Sequence, residues 1–167
     1  MADLSSNDQA AKAVPGENTR QFGLRQIYLK DMSFESPNSP RILAEVGLEP
    51  PEIKLNLRTS HRDLGDGLFE IVLHVNVHAL SGQRTAFLVE LEQAGIFEIT
   101  GFPPQQTQAI IGATCPNALF PFAREAVASI IQRGSFPQFL LQNINFAALL
   151  DQAQAKRAAD ATPAGHA

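Results

Sequence analysis

Six apolar residues stand at strictly alternate positions: Phe69, Ile71, Leu73, Val75, Val77 and Ala79. The other parity carries Glu70, His74, Asn76 and His78, with Val72 among them. Side chains alternate across a strand with period two, so this run reads as one long strand with a face on a core. Its neighbours extend the pattern. Asp63-Leu64-Gly65-Asp66-Gly67 supplies residues that accept positive φ, as a turn between two strands requires. Before it, Ile53, Leu55 and Leu57 alternate with Glu52, Lys54, Asn56 and Arg58. After the turn Ser81-Gly82-Gln83, the residues Phe87, Val89 and Leu91 oppose Leu88, Glu90 and Glu92, and Ile96–Ile99 offers an extension beyond Gly95. Three successive strands therefore form an antiparallel meander.

A fourth strand precedes them. Between Phe22 and Phe34 the apolar parity shifts twice, as a bulged strand would make it do. Pro37, Pro40, Pro50 and Pro51 then crowd around the short piece Ile42-Leu43-Ala44, which predicts a long connection with little regular structure. Beyond Phe102 the period changes. Gln105–Cys115 is free of charge and compatible with a helix, and Asn117–Arg133 carries Phe120, Val127, Ile130 and Ile131 before the helix ending Arg133-Gly134. Pro116 and Pro121 mark a start or a break in this span. Leu119, Phe122, Ala123, Ala126 and Ala128 lie off the main stripe, so the helix needs cover from several directions. Asn145 caps a last helix from Phe146 to about Ala158. The order predicts an α+β fold, a four-stranded antiparallel sheet with two helices.

A chain of 167 residues, 44% of them hydrophobic, can form one domain with a sizeable core. Residues 21–158 are expected to form it. Residues 1–20 and 159–167 are too poor in apolar side chains to offset the cost of ordering and are read as flexible tails. A net charge of -4 gives no basic field for nucleic acid. Met1–Gln21 lacks the basic start and apolar run of a secretory signal, and no segment reaches the roughly 18 residues of a membrane span. A cytosolic protein with no direct membrane insertion is expected.

Signals for chemistry are weak. His74 and His78 would sit roughly 13 Å apart on a strand, too far to share one ion. Gly65-Asp66-Gly67 leads into a strand rather than a helix and is too short to cradle a phosphate. Cys115, the single cysteine, follows an apolar helix that would raise its pKa, and no histidine lies near it in sequence. No nucleophile elbow, Walker motif or HExxH is present, so no enzyme activity, cofactor or metal is expected. Apolar surface is instead in surplus. There are eleven phenylalanines, Val72 and Leu88 fall on polar strand faces, and Phe136-Pro137-Gln138-Phe139-Leu140-Leu141 is an apolar stretch between helices. Exposed surface of that kind marks a partner or client site. An unfolded segment covering about 400 Å² of it would gain on the order of 10 kcal/mol before ordering costs. Asp31, Glu35, Glu90, Glu92 and Glu98 form a second candidate surface, acidic and suited to a basic partner.

The run Cys115-Pro116-Asn117-Ala118-Leu119-Phe120-Pro121-Phe122-Ala123-Arg124-Glu125 resembles the signature region of the SecB family of bacterial export chaperones. Lys30–Asn38, Thr85–Glu90 and Arg133–Phe139 agree, and the resemblance covers about residues 22–150. It implies a homotetramer, a dimer of dimers with the apolar helix between sheets. It also implies an ATP-independent holdase that keeps secretory precursors unfolded and hands them to the translocase ATPase SecA. By motif, the SecA-docking positions are Asp31, Glu35, Leu88 and Glu90. The client-binding groove is matched to Ile53, Leu55 and Leu57, to Phe136, Phe139 and Leu141 in the loop, and to Phe146 and Leu149 on the last helix. The tail carrying Lys156 and Arg157 departs from the more acidic tails of many relatives, which puts an auxiliary SecA contact there in question. Two other readings stand beside this one: a SecB-like chaperone dedicated to one client such as an antitoxin, and a small-molecule enzyme using Cys115.

Overall fold

The computed structural model describes residues 19–47 and 49–160. Strand β1 (Gln21–Glu35) is followed by a short helix α1 (Arg41–Val46) and by strands β2 (Glu52–Gly65), β3 (Leu68–Ser81) and β4 (Arg84–Thr100). They form one antiparallel sheet in the order β1-β4-β3-β2. The expected meander is β2-β3-β4, and β4 runs through Gly95 without interruption. At the β2–β3 turn Gly65, Asp66 and Gly67 all have positive φ, and the Gly65 N–H donates to Asp63 Oδ1 at 2.8 Å.

The tails expected at 1–20 and 159–167 fall outside the described residues except for Thr19, Arg20, Ala159 and Asp160, the last two within a helix. The connection between β1 and β2 differs from expectation. It contains α1, because Ile42 and Val46, four apart, share a helical face that is buried against β3 and β4. Asn38 Nδ2 and Ser36 Oγ anchor the approach by donating to the carbonyls of Thr85 and Ala86 at 2.9 and 2.8 Å.

After Pro103 the chain enters helix α2 (Pro104–Ala109), passes through a π turn (Ile110–Thr114) and continues as α3 (Cys115–Arg133). In the wider turn the Cys115 N–H reaches back five residues to the Ile110 carbonyl. A proline ring clashes with the carbonyl four residues earlier, and the widening at Ile110–Thr114 relieves that clash for Pro116. Pro121 does not break the helix, contrary to expectation. Both Pro121 and Asn117, whose carbonyl loses its helical donor, are exposed, so water can take the missing place.

α3 packs on the inner sheet face through Leu119, Phe120, Ala123, Val127 and Ile131. Gly95 permits the approach: a Cβ there would stand 2.9 Å from Leu119 Cδ2 and 3.2 Å from the Gln26 carbonyl. The extended segment after Gly134 returns along this layer to α4 (Phe146–Asp160), which is capped by Asn145 Oδ1 accepting from the Ala148 N–H at 3.0 Å. α4 lies against the π turn, where Leu150 closes over Gly112.

Candidate functional sites on the two sheet faces

The outer face, which the helices leave uncovered, is assembled by register. β1 slips against β4 between Leu24 and Gln26 and again between Leu29 and Asp31. Each slip inverts the parity of the residues beyond it. After the second, Met32 and Phe34 oppose Leu91 and Val89 on the core side, while Asp31, Ser33 and Glu35 oppose Glu92, Glu90 and Leu88 on the outside. All four docking positions assigned by motif, Asp31, Glu35, Leu88 and Glu90, are thus brought together on two adjacent strands. Asp31, Glu35 and Glu90 are exposed and Leu88 is half-buried among them. Among the described residues none of these three carboxylates is held in an ion pair. Glu92 is bridged to His74 Nδ1 at 3.1 Å, and Glu98 is paired with Arg25.

Toward the other end of the outer face the charges are neutralised internally. Glu70 on β3 is only 6% exposed. It receives the Tyr28 hydroxyl and, at 2.8 Å, the Lys30 ammonium, both reaching over β4 at the small Ala94. Arg62 meets it from β2 at 3.1 Å. Lys30 and Tyr28, more than the opposing burial, hold the Glu70 carboxyl below the usual carboxylate range, while burial and the Glu70 hydrogen bond push the Tyr28 phenol up to about 12. Val72, expected to be exposed, is buried between these side chains and His74, so it adds no apolar surface.

The inner face carries the client positions assigned by resemblance, and burial divides them. Leu55 is 39% exposed and Leu149 44%, whereas Ile53, Leu57 and Phe139 are partly covered. Phe136, Leu141 and Phe146 are core residues. The Phe136 ring meets Phe87 at 4.8 Å between centroids, and the Phe146 ring sits edge-on to Phe120 at 5.7 Å. A ligand can reach these three only if the helix layer moves. In their place Leu140 faces outward, because neighbouring residues of an extended segment point to opposite sides and Leu141 takes the core side. The apolar run containing Leu140 was legible in the sequence; which of its members faces water was not.

Next to β1 a groove of about 600 Å³ is lined by Ile27, Leu29, Gln93, Pro121, Phe122 and Glu125, among others. Phe122, 49% exposed, and Leu29 give it an uncovered apolar rim. This is the side of α3 whose apolar positions call for cover in the sequence. Cys115 is fully buried and burial pushes its thiol up to about 12, which disfavours the thiolate a nucleophile needs. Among the described residues no helix is long and apolar enough to cross a membrane.

Comparison with known proteins agrees with this architecture. The sequence model of the SecB family, described as the preprotein translocase subunit SecB, matches residues 15–157. The protein-export protein SecB of Marinobacter nauticus is 42% identical over 158 residues, which covers 95% of this chain and 94% of that relative. A solved SecB-like chaperone of Mycobacterium tuberculosis, in complex with a peptide from an antitoxin, superposes with a TM-score of 0.62 at 15% identity. That superposition covers 74% of this chain and 90% of the other, and shows a shared fold.

Proposed function

We propose that this chain, which belongs to the SecB family of protein-export chaperones, holds unfolded secretory precursors in the cytosol and delivers them to SecA without using nucleotide. The chaperone role follows from the family; the division of labour between the two sheet faces is our reading. The exposed Leu55, Leu140 and Leu149 and the half-buried Ile53, Leu57 and Phe139 offer apolar surface to a client. Asp31, Glu35, Leu88 and Glu90 offer SecA an acidic patch whose carboxylates are free of internal ion pairs among the described residues. That patch, which follows the second bulge in β1, is the observation that carries the reading.

The groove rimmed by Phe122 and Leu29 supports assembly into a homotetramer, since a helix this apolar on several sides is covered when a second copy packs on it. Four linked subunits raise the effective concentration for one long client without any new contact. A second reading, a chaperone dedicated to one client, draws support from the fold shared with the antitoxin-bound relative.

Light scattering tests both readings on the full chain, with a urea-unfolded, reduced precursor added by dilution. A particle near four times 18.1 kDa that keeps the precursor soluble is expected. A monomer that ignores it would overturn the proposal. Refusal of several unrelated precursors by a tetramer would favour the dedicated chaperone.

A further inference from the structure

At the end of the outer face away from Glu70, the Asp31–Glu35 stretch of β1 and the Lys54–Arg58 stretch of β2 carry opposite charges. Two rows of cross-strand partners run over this face in parallel. In one, Asp31 opposes Glu92, Glu92 opposes His74, and His74 opposes Arg58. In the other, Glu35 opposes Leu88, Leu88 opposes His78, and His78 opposes Lys54. Each row begins at a carboxylate on β1 and ends at a cation on β2, about 14 Å away for strands about 4.8 Å apart. Between them lies the row of Ser33, Glu90, Asn76 and Asn56.

The cations are as available as the carboxylates. Lys54 and Arg58 are exposed, and among the described residues neither has an acidic partner. Among the described residues Arg58 meets the His74 ring, at 3.5 Å. The histidines between the two edges are engaged locally, His74 Nε2 with Ser60 Oγ at 2.8 Å and His78 Nε2 with Thr85 Oγ1 at 3.0 Å. The separation of the edges exceeds the Debye length of about 10 Å at 0.1 M salt, so a partner at the surface meets two local fields of opposite sign rather than one averaged field. Glu52, one outward position before Lys54, bounds the basic edge.

We propose that this face is a polarised dock: it takes a protein surface that lays basic residues over β1 and β4 and acidic residues over β2. The charge gradient sets the direction in which the partner lies across the strands. The inference rests on the docking reading above and adds to it the β2 edge and the need for acidic groups on the partner. Complementary potentials of this kind fix register and on-rate more than total affinity.

The test measures SecA binding to the full chain at low and at high salt, for Glu90→Lys and for the double variant Lys54→Glu/Arg58→Glu. Both alter exposed outer-face side chains, and retained precursor holding reports an intact fold. The double variant should bind SecA about tenfold more weakly at low salt, with the difference shrinking as salt screens it. Lys54→Arg/Arg58→Lys should restore binding. Unchanged or tighter binding by the double variant, beside a weakened Glu90→Lys, overturns the polarised dock and leaves the acidic patch standing. If Glu90→Lys itself binds normally, the docking reading falls and the inference falls with it.

Discussion

The Tyr28 hydroxyl on one edge strand donates across β4 to the Glu70 carboxylate on β3, and the same carboxylate receives Arg62 from the opposite edge. One nearly buried acid thereby ties together both edges of the sheet just beyond the acidic patch. Glu70→Ala should lower stability to urea by about 1–3 kcal/mol, because it strands a phenol and two cations.

The same cluster dictates a pH dependence. Glu70 is held below its ordinary range by Lys30 and Tyr28, so its contribution is present above about pH 4 and fades as pH falls through the lowered value. Tyr28 is raised to about 12, so its contribution is intact below about pH 10 and lost as pH rises through the raised value. Urea midpoints measured against pH should lose part of the acid limb in Glu70→Gln and part of the alkaline limb in Tyr28→Phe.

Burial separates two kinds of apolar substitution on the inner side. Leu55→Asp and Leu149→Asp alter exposed positions and should weaken precursor holding several-fold while moving the urea midpoint little, since surface changes usually stay within about 0.5 kcal/mol. Phe136→Ala removes a ring packed on Phe87 and should cost about 3–5 kcal/mol. Equal loss of stability in both sets would show that Leu55 and Leu149 belong to the core.

Cys115 should resist thiol reagents in the native state and react on unfolding, because its thiolate is disfavoured by burial. Cys115→Ser should keep precursor holding at a cost of about 1–3 kcal/mol, the desolvation of a hydroxyl. Loss of function in a folded Cys115→Ser protein would support a chemical role for the thiol.

Gly95 and Gly112 are points of close approach. Gly95→Val would set a branched side chain against Leu119 and the Gln26 backbone, and should lower thermal stability by about 1–3 kcal/mol or more. Gly112→Ala meets only the flexible end of Leu150 and should be milder.

The strands of the meander were legible because Phe69–Ala79, Ile53–Leu57 and Phe87–Leu91 alternate under one physical rule, burial on a single face with period two. The cap at Asn145 and the turn at Gly65–Gly67 were legible for an equally local reason, a side-chain acceptor and a positive φ. The helix α1 was not legible, because four prolines outweigh two residues, Ile42 and Val46, whose helical pairing is rewarded only once β3 and β4 are present to bury them. The continuity of α3 through Pro121 was hidden for a related reason: the effect of the proline depends on whether the orphaned Asn117 carbonyl faces water, and packing decides that.

By itself the sequence determined the alternating strands, the helix with apolar residues on too many sides, and the family, since these rest on periodicity and on residue identity at fixed spacing. Only the tertiary structure decided which carboxylates stand together and which apolar residues stay free. Two extra residues in β1 set the register that brings Asp31 and Glu35 opposite Glu92 and Leu88, on either side of Glu90, and tilted packing of the Phe136 ring on Phe87 buries that side chain while Leu140 stays exposed. Register and burial are relations between segments distant in the chain, and they exist only when those segments meet.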